Sequence, residues 1–104
     1  MIAMPNFDIE EALEQAEETE LEPPFKVIIH NDDITTFEFV IRILQTIFDH
    51  NVMTAEQIAW RTHTNGLAYV GTYPKSDAEQ RVGKAHFAAM LEGFPLRFTI
   101  EPEQ

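Results

Sequence analysis

Residues 25–48, FKVIIHNDDITTFEFVIRILQTIF, contain the transition that decides the fold. The segment Phe25–His30 has the composition of a strand, and the polar block Asn31–Asp33 that follows it is typical of a turn. Apolar residues then recur at helical spacing from Phe37 to Phe48. A strand that passes through a polar turn into an amphipathic helix indicates a domain that packs helices against a sheet.

Sequence signals also predict where the helices begin and end. Thr35, Thr54 and Ser76 each stand three positions before a Glu or Gln, which is the pattern of a capping box. We therefore predict one helix start at each of the three. Gly66 and Gly93 are predicted to end the second and third helices, because glycine adopts a positive φ readily.

Two further strands complete the predicted order. Leu67–Tyr73, LAYVGTY, has strand composition, and Gly71 within it suggests a bulge or a close backbone neighbour. Leu96–Glu101, LRFTIE, alternates apolar and polar residues, as a half-buried strand does. The order β-α-α-β-α-β predicts an α+β fold in which three helices pack on one face of a three-stranded antiparallel sheet.

Negative charge is concentrated at the start of the chain. Of 104 residues with a formal net charge of −11, residues 1–24 hold eight of the 18 acidic residues and no Lys or Arg. This segment ends in Pro23-Pro24, which favours an extended join. We expect residues 1–24 to form a flexible, disordered acidic extension and residues 25–104 to form one core domain. The charge argues against a nucleic-acid partner.

Composition also restricts the class of protein. The chain has no cysteine, so it forms neither disulfides nor thiolate zinc sites. We find no secretory signal and no apolar run long enough to cross a bilayer, and we expect a cytoplasmic monomer without a membrane partner. Ser76, the only serine, is predicted to be a helix cap, and no phosphate-binding loop is present. We therefore expect no catalytic residues and no cofactor.

The polar block after the first strand offers a binding chemistry. Asn31, Asp32 and Asp33 precede the most apolar helix, and a carboxylate and an amide oxygen beside an apolar surface suit a ligand with an ammonium group and an apolar side chain. His63, near the predicted end of the second helix, is a third candidate partner, because a neutral imidazole accepts a hydrogen bond. The alternatives are a plain Asx turn and a helix-end histidine.

A metal site is a competing interpretation of the same residues. His30, Asp32, Asp33 and His63 are possible ligands, but they lack the spacing of a known ligand motif. A metal-dependent enzyme would contain a stoichiometric metal, which elemental analysis detects.

Three segments of the sequence resemble the ClpS family of bacterial adaptor proteins. They are FKVIIHNDDITTFEFVIRILQTIF, HTNGLAYVGTY and GFPLRFTIE, and the resemblance extends over residues 24–101. Members of that family are not enzymes. They bind the N-terminal residue of a substrate protein, typically Leu, Phe, Tyr or Trp, and deliver the substrate to the ClpAP protease.

The resemblance implies a role for individual residues. Asn31, Asp33 and His63 would hold the free α-amino group, and Asp32 would shape the loop and its field. Arg81 and Glu79 would lie near the surface that docks a ClpA-type AAA+ unfoldase, which the acidic extension would also engage. The side-chain pocket would be lined by Ile29, His30, Thr35, Phe37, Val40, Ala59, Thr62 and Leu96.

The predicted pocket departs from the family pattern at several positions. Phe37 and Ala59 stand where the family commonly has Met, Thr62 replaces a Val, and His30 replaces an apolar residue. A large apolar N-terminal residue remains the prediction, and a shifted preference that tolerates Ile or Val is an alternative. A different alternative is an acidic protein-interaction module without an amine pocket, in which Asn31–Asp33 is only a turn.

Overall fold

The computed structural model describes residues 21–104, and its elements occur in the order β-α-α-β-α-β. This confirms the predicted order and the α+β class. The first twenty residues of the predicted acidic extension lie outside the described residues. The elements are β1 (Pro24–His30), α1 (Phe37–Thr46), α2 (Val52–Asn65), β2 (Leu67–Pro74), α3 (Lys75–Glu92) and β3 (Arg97–Pro102).

The sheet has β1 at its centre, in the order β2-β1-β3, and both pairings are antiparallel. Ile29 pairs with Ala68 of β2 on one side and with Phe98 of β3 on the other. Val27 and Ile29 are completely buried, whereas the residues that alternate with them along β1 are partly exposed. One face of the sheet therefore supports the core, and the three helices cover that face.

The central strand pairs irregularly with β2. Val27 pairs with Gly71 but Ile28 pairs with Tyr69, so β2 has one extra residue at this point. A Cβ atom on Gly71 would lie 2.7 Å from the hydroxyl oxygen of Tyr73, which explains why a glycine occupies this position. The predicted bulge is confirmed, and the close neighbour of Gly71 is a side chain rather than backbone.

All three helix starts differ from the predictions. The N-cap of α1 is Thr36, whose hydroxyl accepts from the amide of Phe39 at 3.2 Å, because the Thr35 hydroxyl donates to Asp32 instead. The N-cap of α2 is Asn51, whose side chain accepts from the amide of Thr54 at 2.8 Å. An amide oxygen three residues earlier thus replaces the predicted Thr54 cap.

The third helix begins without a side-chain cap. Its N-cap is Pro74, and Ser76 lies inside its first turn. The amide and the hydroxyl of Ser76 both donate to the carboxylate of Glu22, at 2.9 and 2.6 Å. Glu22, which precedes β1, thus accepts a hydrogen bond from a backbone amide of the first turn that has no partner within the helix. The predicted helix ends are correct, since Gly66 and Gly93 follow α2 and α3 with φ of 87° and 76°.

The core joins the buried face of the sheet to the inner faces of the helices. Leu44 of α1 is completely buried, and Ile58 of α2 and Phe98 of β3 are almost so. Phe48, just after α1, stacks on Phe98 with ring centroids 5.1 Å apart. Within residues 21–104, no helix is both long and apolar enough to cross a membrane.

Candidate functional site

The end of β1 and the end of α2 are joined directly. The backbone amide of Asn31 donates to the carbonyl of Gly66 at 2.9 Å, and Gly66 is the residue that ends α2. His63 lies in the last turn of the same helix. This bond brings the polar block after β1 and the histidine to one edge of the molecule, although they are far apart in the sequence.

The carboxylate of Asp32 accepts hydrogen bonds within the loop between β1 and α1 and so shapes that loop. One of its carboxylate oxygens accepts from the amides of Ile34 and Thr35, at 2.8 and 2.6 Å, and the other accepts from the hydroxyl of Thr35 at 2.7 Å. Partial burial raises the pKa of Asp32, but the three hydrogen bonds outweigh it and lower the pKa below the usual value. Asp32 therefore holds the loop as an ionised carboxylate.

The polar side chains on either side of Asp32 are not used in this way. Asn31, Asp33 and His63 are exposed. The side-chain hydrogen bonds and ion pairs formed among residues 21–104 include none to these three groups. We call these three side chains the rim. Their acceptor atoms are available to a ligand.

The rim opens into a cavity of about 320 Å³. This volume lies at the lower end of the roughly 300–1,000 Å³ common for small-molecule sites. An apolar wall with a few convergent polar groups is the usual composition of such a site. The cavity is lined by Asn31, Asp32, Asp33, Thr35, Phe37, Val40, Ala59, Thr62 and His63.

The wall of the cavity comes from the facing sides of α1 and α2. Val40 and Ala59 are buried, and Phe37 is 37% exposed at the mouth. The hydroxyl of Thr62 donates to the carbonyl of Ile58 in its own helix at 2.7 Å. The proton of that hydroxyl is therefore not offered to a ligand, and the wall is less polar than the sequence suggested.

Three residues predicted to line the pocket do not line this cavity. Ile29 is completely buried in the core, and Leu96 lies at a separate surface depression beside His86 and Met90. His30 alternates with Ile29 along β1, and its Nε2 is 2.8 Å from the hydroxyl of Thr99 on β3. Strand alternation directs His30 away from the core, and the assignment of these three residues to the pocket stays a prediction.

The two residues predicted to dock an unfoldase have different surroundings. The guanidinium of Arg81 donates to Asp77 and Asp49, each at 3.0 Å, and to the carbonyl of Ile47 at 2.7 Å. Partial burial lowers the pKa of Arg81, but the hydrogen bonds to Asp49 and Asp77 outweigh it and raise the pKa. Glu79 is exposed. It is two positions from Arg81 in α3, so the two side chains do not face each other.

Trp60 borders the cavity, and the sequence did not single it out. Its ring centroid lies 5.0 Å from that of Phe37 and 6.2 Å from that of His63, and the residue is 60% exposed. The sequence could have indicated the exposure of Trp60 through its position on α2. The buried face of this helix consists of Ala55, Ile58, Ala59 and Thr62, and Trp60 lies outside it.

The polar side chains of the cavity are suited to accepting hydrogen bonds from a ligand. Asp33 supplies a carboxylate, Asn31 an amide oxygen and His63 an imidazole nitrogen, and together they can accept from a cationic donor group. Among residues 21–104, no three His, Asp or Glu side chains lie close enough to hold a metal ion.

Comparison with known proteins agrees with this geometry. The family model described as "ATP-dependent Clp protease adaptor protein ClpS" matches residues 20–99. The ATP-dependent Clp protease adapter protein ClpS of Desulfatibacillum aliphaticivorans is 39% identical over 100 residues, which cover 95% of this chain and 96% of that protein. The adapter protein ClpS of Campylobacter jejuni is 42% identical over 89 residues, or 84% of this chain and 93% of that protein.

A solved structure of similar fold is that of Agrobacterium tumefaciens ClpS2 bound to L-phenylalaninamide. Its TM-score is 0.75 at 34% sequence identity, and the match covers 78% of this chain and 98% of the other. The fold, the family match and the relatives all give the same result. The chain belongs to the ClpS family of ATP-dependent Clp protease adaptor proteins.

Proposed function

We propose that this protein is an adaptor that binds the N-terminal residue of a substrate protein and delivers that substrate to a Clp protease through a ClpA-type unfoldase. The observation that carries the proposal is the rim, with its unused carboxylate, beside an apolar cavity of about 320 Å³. The cavity contains no serine or cysteine that could act as a nucleophile, so it fits binding without chemistry.

The rim would hold the free α-amino group. An ammonium group carries three donors, and the rim offers three kinds of acceptor at Asn31, Asp33 and His63. Hydrogen bonds between charged partners are about twice as strong as neutral ones, so Asp33 would contribute most. Asp32 would contribute mainly its charge, because its two oxygens already accept three hydrogen bonds within the loop.

The wall would hold the side chain of the same residue. Ala59 is small and leaves room between α1 and α2, whereas Phe37, whose ring contacts that of Trp60, narrows the mouth. A large apolar side chain, Leu, Phe, Tyr or Trp, would bury the most surface there. The ligand of the Agrobacterium relative, L-phenylalaninamide, has both a free α-amino group and an aromatic side chain, which supports this assignment.

Blocking the amino group tests the proposal. Fluorescence anisotropy would compare peptides that differ only at the first residue, each with a free or an acetylated N-terminus. Acetylation removes the charge and leaves the rim unsatisfied, which costs at least about 1–3 kcal/mol, or roughly five- to 150-fold in affinity. Equal affinity for free and acetylated peptides would contradict the proposal.

A panel of twenty first residues would measure the preference of the cavity. One misplaced methylene changes affinity by about 1–3 kcal/mol, so binding of Ile and Val relative to Leu reports how Phe37 and Ala59 shape the wall.

Delivery would use other parts of the chain. We propose that residues 1–24 engage the unfoldase and that Arg81 and the exposed Glu79, both on α3, lie near the surface that docks it. Removal of residues 1–20 should leave peptide affinity unchanged while slowing degradation of a substrate by the complete protease. Slower degradation that is matched by weaker peptide binding would argue against a separate role for this segment.

A further inference from the structure

A second concavity lies on the exposed side of α2. It has a volume of about 520 Å³ and is lined by Met53, Glu56, Gln57, Trp60 and Arg61, which we call the α2 groove. These residues recur at the spacing of a single helical face. Met53 is 70% exposed and Trp60 is 60% exposed, so most of both apolar side chains is open to solvent.

The α2 groove is continuous with the candidate site through Trp60. One side of this residue lines the groove, and its ring packs on Phe37 and His63, which both line the cavity. The two aromatic contacts restrict the indole, so binding against it costs less side-chain entropy than binding against a free one. A ligand that leaves the cavity past Phe37 or His63 therefore meets Trp60 next.

We propose that the α2 groove binds residues two to four of the chain whose first residue occupies the cavity. This inference rests on the proposed function. From Trp60 to Met53 the helix rises about 10 Å, and three extended residues span about the same distance. The groove thus has the length of a short extended segment that follows the anchored N-terminal residue.

The lining of the α2 groove favours apolar over charged side chains of the ligand. Trp60 and Met53 provide the apolar surface, and tryptophan is the residue type most often found to dominate binding energy. Methionine adapts to ligands of different shape. Glu56 and Arg61 carry opposite charges at the two sides, so a charged ligand residue gains little. The groove would favour large apolar residues at positions two to four over glycine.

Affinities for three ligands distinguish binding in the α2 groove from binding in the cavity. They are L-phenylalaninamide, a peptide with Phe followed by three Leu, and a peptide with Phe followed by three Gly, both peptides ending in the same polar tail. On the unaltered protein, the Leu peptide should bind about tenfold more tightly than the Gly peptide, which corresponds to one strong interface contact. L-phenylalaninamide should bind about as well as the Gly peptide.

Trp60→Ala should remove most of this advantage. The Leu peptide should fall to within about twofold of the Gly peptide, while affinity for L-phenylalaninamide changes by less than about threefold. Met53→Ala, at the far end of the groove, should weaken only the Leu peptide, by about two- to threefold. Phe87→Ala is the matched control, because Phe87 is a 57% exposed apolar residue on α3 that lines neither the groove nor the cavity.

Other outcomes would overturn the inference in distinguishable ways. Equal affinities for the Leu and Gly peptides would show that the groove does not contact the ligand. An equal loss for all three ligands in Trp60→Ala would mean that Trp60 acts only by supporting Phe37. Self-association that Trp60→Ala abolishes, with the Leu advantage unchanged, would assign the groove to a second copy of this chain. An unaltered protein that binds none of the ligands would overturn the proposed function as well.

Discussion

Two clusters of polar side chains in this domain have opposite relationships to the rest of the protein. In the Arg81 cluster, which comprises Arg81, Asp49, Asp77 and Tyr73, the guanidinium donates to two carboxylates and a carbonyl and lies 4.5 Å above the Tyr73 ring. In the rim, the polar side-chain groups of Asn31, Asp33 and His63 have no hydrogen-bond or ion-pair partners among residues 21–104. The first cluster fixes the fold, and the second remains available to a ligand.

The same contrast occurs between two adjacent residues. Asp32 and Asp33 are chemically identical, but the oxygens of Asp32 accept three hydrogen bonds from the loop whereas Asp33 is exposed at the mouth of the cavity. Charge alone therefore does not identify a binding residue. What distinguishes a binding residue is an acceptor that faces a cavity without a partner from its own chain.

The largest expected effect is on ligand binding at Asp33. Asp33→Ala should weaken binding of a free-amine peptide by about 2–5 kcal/mol, the cost of truncating one partner of a hydrogen-bonded charge pair. The free energy of unfolding should change by less than about 0.5 kcal/mol, because Asp33 is exposed. Isothermal titration and denaturant unfolding measure the two quantities.

Asp49→Ala is the matched control for this prediction. Asp49 is also an exposed carboxylate, with a side chain 75% exposed, but it belongs to the Arg81 cluster. Its removal should leave peptide affinity unchanged. If Asp33→Ala and Asp49→Ala gave the same affinity as the unaltered protein, the interaction module without an amine pocket would be the better interpretation.

Arg81→Met should show the reverse effect. The substitution keeps much of the side-chain volume but removes three hydrogen bonds, so it should lower the free energy of unfolding by about 1–3 kcal/mol. In a domain of this size, each kcal/mol lowers the melting temperature by about 4–8 °C. Peptide affinity should stay within about twofold. A stable variant with impaired peptide binding would contradict the assignment of Arg81 to the fold.

Asp32 should appear in the pH dependence of stability. Its pKa is lower in the folded state, so its contribution is complete above the unfolded pKa near 4 and is lost as pH falls through the lower folded value. Unfolding measured from pH 6 to pH 2 should show this loss. Asp32→Asn cannot gain this proton, so the free energy of unfolding of this variant should depend less on pH below about pH 4. The difference should be less than about 1 kcal/mol, because Asp32 is partly exposed. If the unaltered protein and Asp32→Asn lost stability equally as the pH falls, the lowered pKa of Asp32 would not contribute to stability.

The smallest effect is expected at Thr62. Its hydroxyl already donates to Ile58, so Thr62→Val should change affinity for a peptide with N-terminal Phe by less than about threefold. Thr62→Ala is the comparison, because it removes the γ-methyl group from the wall as well as the hydroxyl and should weaken binding more. A large gain in affinity on Thr62→Val would show that the hydroxyl is presented to the ligand.

Much of the fold was predictable from local pattern. Strand alternation and helical spacing gave the order of the elements, and Gly66 and Gly93 marked the helix ends because few other residues adopt a positive φ there. The predicted helix starts were wrong because the hydroxyl and amide groups near each start form other hydrogen bonds in the folded chain. A threonine hydroxyl both donates and accepts: the Thr35 hydroxyl donates to the carboxylate of Asp32, whereas the Thr36 hydroxyl accepts from the helix amide of Phe39.

The sequence by itself determined the α+β order, the polar block after the first strand, and the histidine that would join it. Only the tertiary structure decided that Asp32 accepts hydrogen bonds from the loop while Asp33 does not, that His30 pairs with Thr99, and that Trp60 borders the cavity. The reason is physical. Periodicity is a property of neighbouring residues, whereas the availability of an acceptor depends on which donors the folded chain brings near it.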